Sequence, residues 1–152
     1  MPTVDPRASR PGPAPTPAAD RRAPVADQPV IEVMSAPVRT IPADLALGEA
    51  LRRMLQAGCR HLVVVDRAGR CLGVLADRTI AAAWAYDPTV LSRRAAGTVL
   101  DLEPATLDRY ARVLDAARLM RTAGVDAVAM VDDDGRPVGI LTGGDLIALL
   151  AG

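Results

Sequence analysis

The chain repeats itself at a fixed interval. Laid against itself without a gap, Val33–Trp84 runs parallel to Val99–Leu150 at an offset of 66 residues. That register pairs Gly58 with Gly124, Asp66 with Asp132, Gly69 with Gly135 and Gly73 with Gly139. Val33/Val99, Thr40/Thr106, Ala50/Ala116, Arg52/Arg118, Met54/Met120, Arg70/Arg136 and Leu75/Leu141 coincide as well. A bias toward small residues produces scattered matches, but it does not also bring turn glycines into register. Two copies of one unit, folded into a single small domain, are the expectation.

Each copy reads the same way. A short extended segment (VRTI, then PATL) leads into a helical pattern. Leu47, Leu51, Met54 and Leu55 are expected on one helix face in the first copy, and Val113, Ala116, Ala117 and Met120 in the second. Gly58 and Gly124 stand where a helix end favours a left-handed residue. The apolar runs LVVVD and AVAMVD are short and β-branched enough to be buried strands. Asp66-Arg-Ala-Gly69 and Asp132-Asp-Asp-Gly135 place Asp first and Gly last, as a type I turn between antiparallel strands requires. The partner strands are CLGVL and PVGIL, and closing helices are expected over 76–85 and 142–150. Between the copies, 86–97 reads as a partly helical linker. Residues 1–28 are dominated by Pro, Ala, Arg and Asp, too poor in large apolar side chains to offset ordering entropy, and are expected to be a disordered tail.

Composition narrows the function. The 18 basic and 18 acidic side chains cancel, so there is no net basic field for a nucleic-acid backbone. The core must be aliphatic, since Phe is absent and Trp84, Tyr86 and Tyr110 are the only aromatic residues. Cys59 and Cys71 lack metal-ligand spacing, and no signal peptide or membrane span is expected, which suggests a reduced, cytoplasmic setting. With one histidine and no HExxH, GxSxG or P-loop spacing, an enzyme is not expected. Cys59 and His61 share a strand face, but no third group orients them and no oxyanion hole accompanies them.

The string Ala57-Gly-Cys-Arg-His-Leu-Val-Val-Val-Asp66, followed by Gly69-Arg-Cys-Leu-Gly-Val-Leu75, resembles the core signature of the CBS domain. Ala123-Gly-Val-Asp-Ala-Val-Ala-Met-Val-Asp132 with Gly135-Arg-Pro-Val-Gly-Ile-Leu-Thr-Gly-Gly-Asp-Leu146 resembles it more closely. The Val33-Met34 start, with Pro37 and Thr40, is also similar to the opening of CBS repeats. The resemblance implies a tandem pair, or Bateman module, of the α+β (α/β) class. Two β-α-β-β-α repeats, at 29–85 and 98–152, would pack about a pseudo-twofold axis and leave two clefts. It further implies a regulatory adenosine-type ligand (AMP, ADP, ATP or S-adenosylmethionine) and no obligatory cofactor. A homodimer and a regulated partner on another chain are implied too.

The sharpest local feature is Thr142-Gly143-Gly144-Asp145. Exposed N–H groups at a helix start favour an anion, and the Asp145 carboxylate suits a pair of ribose hydroxyls; the resemblance implies that ribose role. Thr142 and Asp145 equally make a capping box. In the first copy the same stretch is Ala76-Asp-Arg-Thr79, without the carboxylate, so the two clefts are expected to differ. The resemblance implies that Asp145 and Thr142 face the leading strand of the first copy (Met34, Arg39, Thr40) and its helix-to-strand corner (Cys59, Arg60, His61). Arg60 and His61 suit a phosphate tail. Arg39 would either obstruct the cleft or grip a phosphate, and His61 equally reads as a half-buried strand-edge residue. A ligand-free dimerisation or partner-docking module is the alternative function.

Overall fold

The structure, a computed structural model, describes Gly12 and residues 24–152. Two equivalent units follow one another. The first comprises α1 (Val30–Val33), β1 (Thr40–Pro42), α2 (Leu47–Ala57), β2 (His61–Val65), β3 (Cys71–Ala76) and α3 (Asp77–Tyr86). After α4 (Val90–Arg93) and a 3-10 turn (Ala96–Val99), the second comprises β4 (Thr106–Asp108), α5 (Val113–Ala123), β5 (Ala127–Val131), β6 (Pro137–Thr142) and α6 (Gly143–Ala151). Each unit holds a three-stranded sheet, ordered β1-β2-β3 and β4-β5-β6. The outer pairs β1–β2 and β4–β5 are parallel, which a two-residue hairpin cannot connect, and α2 and α5 supply the crossovers. The pairs β2–β3 and β5–β6 are antiparallel.

The local chemistry explains why both copies fold alike. In the hairpins, the Asp66 Oδ1 accepts the N–H groups of Ala68 and Arg70 at 2.9 Å each, and Gly69 takes φ 81°. Asp132 does the same for Asp134 and Arg136, with Gly135 at φ 79°. Gly58 and Gly124 end α2 and α5 at φ 66°, a left-handed conformation that costs an L-residue with a Cβ roughly 1 kcal/mol or more. On α2, Leu47, Ala50 and Met54 are buried while Leu55 is exposed, contrary to the expected face. Each residue turns the helix by about 100°, so Leu55 points roughly 80° away from Leu47, outside the stripe that Ala50 and Met54 define.

The arms preceding the two units are exchanged. The Val30 N–H donates to the Ala111 carbonyl at 2.9 Å, and the Val113 N–H to the Gln28 carbonyl at 2.9 Å. In register, the Ala96 N–H donates to Leu45 at 2.7 Å, and the Leu47 N–H to Arg94 at 3.0 Å. Val30 is thereby buried in the second core, with Ala116, Met120, Val128, Met130 and Leu141. Val90 and Ala96 enter the first, with Ile41, Leu47, Met54, Val64 and Leu75. Part of the supposed linker over 86–97 is thus the arm of the second unit, docked on the first. The expected disorder over 1–28 falls mostly outside the described residues. The described end of that segment forms a 3-10 turn at Val25–Asp27, and Asp27 approaches Arg112 to 3.7 Å.

Candidate functional site

Pseudo-symmetry creates two clefts between the units, and much of their lining corresponds in the repeat register. The larger, about 470 Å³, is lined on one side by Arg39, Cys59, Arg60 and His61, and on the other by Thr142, Gly143, Gly144 and Asp145. Its mate is only about 60 Å³, and Ala105, Val125, Asp126, Ala127, Ala76 and Thr79 stand at positions matching those residues. Side chains account for much of the difference. Where the larger cleft has Gly144, the smaller has Arg78, and Leu100, Asp101 and Glu103 crowd its wall. A volume near 470 Å³ is in the range that accepts a small organic ligand, whereas about 60 Å³ holds little more than water.

Eight of the ten expected site residues therefore line one cleft. Met34 and Thr40 do not. Met34 lies over Gly139, where a Cβ would overlap its thioether, and packs against the second core. Its side chain fills space that glycine leaves open, which is a packing role. Thr40 pairs with Val63 in the sheet and lines a separate depression with Arg53 and Gln56.

The capping box over Thr142 and Asp145 is formed. The Thr142 N–H donates to Asp145 Oδ2 at 2.9 Å, and the Asp145 N–H donates to Thr142 Oγ1 at 3.2 Å. This fixes the carboxylate at the cleft wall by its own helix start, and among the described residues no donor reaches its Oδ1. Capping and ligand binding are thus compatible, because one oxygen of the carboxylate holds the cap and the other keeps its acceptor capacity.

Opposite lies the charged corner. The His61 Nε2 is 3.0 Å from Asp126 Oδ1, and an Arg78 nitrogen is 3.6 Å from the same oxygen. The His61 side chain is only 12% exposed, that of Asp126 50%. Burial pushes the Asp126 carboxyl up, but the hydrogen bond and charge of His61, with the charge of Arg78, outweigh that and leave it below its ordinary value. Arg60 approaches Asp77 to 3.4 Å, while Arg39 has no carboxylate partner among the described residues. Asp126 was missed by the motif reading. The offset of 66 residues could have found it, since it stands where the first copy has Arg60.

No group of three or more His, Cys, Asp or Glu side chains suited to a metal ion occurs among the described residues. No helix among them is long and apolar enough to cross a membrane.

The sequence model of the CBS domain matches residues 30–86 and 96–152, two copies whose starts lie 66 residues apart. The chain belongs to the CBS domain family. A CBS domain-containing protein of Dictyostelium discoideum is 29% identical over 80% of this chain and 90% of its own length. The L-aspartate semialdehyde sulfurtransferase of Methanocaldococcus jannaschii is 27% identical over 81% of this chain, but the match covers only 23% of that protein. Among solved structures, the CBS domain pair of protein MJ0100, in complex with 5'-methylthioadenosine and S-adenosyl-L-methionine, superposes with a TM-score of 0.74. It is 25% identical, and the match covers 83% of this chain and 98% of that one. Val30 and Ala96, the arm residues that dock on the opposite units, stand at the starts of the two matched ranges.

Proposed function

We propose that this CBS pair is a regulatory module that binds one adenosine-containing ligand, such as AMP, ADP, ATP or S-adenosylmethionine, in its larger cleft. The observation that carries the reading is the inequality of the clefts: one is about 470 Å³ with Asp145 on its wall, and its mate is about 60 Å³ with Thr79 there. Asp145 Oδ1 would accept ribose hydroxyl hydrogens, and the N–H groups at the start of α6 would favour an anionic group. Arg39, Arg60 and His61 would face a phosphate tail. The adenosine ligands held by the MJ0100 pair, at 25% identity, support the same ligand class.

Binding between the repeats changes their relative arrangement only through a differential affinity for two arrangements. That change would be transmitted to a partner protein. Exposed Trp84 on α3 and Ile147 and Leu150 on α6 offer apolar surface for a homodimer. The proposed role is binding and signalling rather than catalysis, in a cytoplasmic setting.

Thermal shift tests the reading, because a ligand that binds only the folded state must raise the melting temperature. A rise of several degrees with at least one adenosine ligand at millimolar concentration, lost in Asp145→Ala, is expected. No shift with any of the four would favour the ligand-free docking module.

A further inference from the structure

Asp126 lines both clefts. Its carboxylate touches His61 on the wall of the larger cleft at 3.0 Å and Arg78 on the wall of the smaller at 3.6 Å. Its backbone is fixed as well, since the Gly143 N–H at the start of α6 donates to the Asp126 carbonyl at 2.7 Å. The carboxylate thus stands beside the His61 ring that a ligand phosphate would approach, and it carries the charge such a phosphate would bring. In the repeat register the same position holds Arg60, so the two units present opposite charges at equivalent corners.

We propose that Asp126 is a specificity-determining residue shared by both clefts, an internal anion that occupies His61 and Arg78 and that a ligand's anionic group must displace. Uncharged adenosine need not displace it, and a cationic sulfonium ligand gains from it. The pair therefore shifts the larger cleft away from highly charged phosphates, against the pull of Arg39 and Arg60. An anion that takes His61 leaves Asp126 to Arg78 alone, so filling one cleft alters the charge balance of the other. The inference rests on the adenosine reading of the larger cleft.

The test compares the wild-type chain with Asp126→Asn, titrated with adenosine, AMP and inorganic phosphate. Removing the competing charge of the half-exposed Asp126 carboxylate is expected to tighten AMP and phosphate by roughly two- to fivefold, with adenosine unchanged. Unchanged adenosine affinity also shows that the variant keeps its cleft. In a His61→Gln background the gain from Asp126→Asn should shrink, as coupled residues require. The ring of His61, the only histidine in the chain, supplies an NMR signal that reports phosphate binding without any nucleoside.

Equal or weaker binding of AMP and phosphate to Asp126→Asn would overturn the proposal. If neither adenosine nor AMP binds either protein, the adenosine reading fails. The phosphate response of the His61 signal then still decides the role of Asp126: a response at lower phosphate in the variant supports it, and an equal or weaker one refutes it.

Discussion

Replacing Val30 with alanine truncates a side chain that belongs to the first repeat by sequence and to the second by packing. Val30 is 0% exposed and lies in the core formed by Ala116, Met120, Val128, Met130 and Leu141. Two methyl groups at ~0.8 kcal/mol each give ~1.6 kcal/mol of lost transfer free energy. The cavity they leave raises the expected loss to about 2 kcal/mol. For a domain of this size that corresponds to a fall of roughly 4–8 °C in melting temperature. Urea denaturation should show a lower midpoint with an unchanged slope. Hydrogen exchange locates the effect: α5, β5 and β6 should lose protection before β2 and β3 do. A loss below about 0.5 kcal/mol, the usual size of a surface substitution, would refute the exchange of arms. So would a loss of protection confined to the first sheet.

Three further outcomes follow from the geometry. Ala76→Thr with Thr79→Asp rebuilds on α3 the capping box of α6 and should add about 0.5–1 kcal/mol in urea denaturation; no gain would show that the helix start of the first repeat differs from that of the second. Gly139→Ala sets a Cβ against Met34, whose flexible thioether must move, so a loss of about 1–2 kcal/mol is expected, and a neutral result would contradict the close approach. The Asp126 carboxyl titrates below its ordinary value of 3.8 in the folded state, so its contribution is complete above that pH and disappears as pH falls through the lower folded value. Melting temperature against pH should therefore fall less steeply below about pH 4 for Asp126→Asn than for the wild type, and parallel curves would show that the pairing contributes nothing.

What could be read from the sequence was local chemistry repeated in register. The hairpins were legible because Asp66 and Asp132 bond their own turns, and Gly69 and Gly135 supply the positive φ. The helix ends were legible through Gly58 and Gly124 for the same conformational reason. The exchanged arms were not, because Val30 and Ala96 dock through single apolar side chains and backbone hydrogen bonds to distant residues, with no periodic pattern of their own. The second arm lies within the stretch 86–97 that reads as linker. In the site, the residues carried by strand ends and the α6 start were found together, since fold and motif fix them jointly. Met34 lies before the first strand and Thr40 is that strand's first residue, and packing over Gly139 and pairing with Val63 decide their places. Asp126 lacks a motif, and only the repeat register or the approach of Arg78 and His61, 48 and 65 residues away in sequence, brings it out.

The central claim is that a symmetric pair of repeats carries one usable adenosine site. Calorimetric titration of the purified chain with AMP and with S-adenosylmethionine measures stoichiometry and affinity together. The account predicts one site per chain, tighter than about millimolar for at least one ligand, and abolished by Asp145→Ala. Two equal sites per chain, or binding that survives Asp145→Ala undiminished, would contradict it.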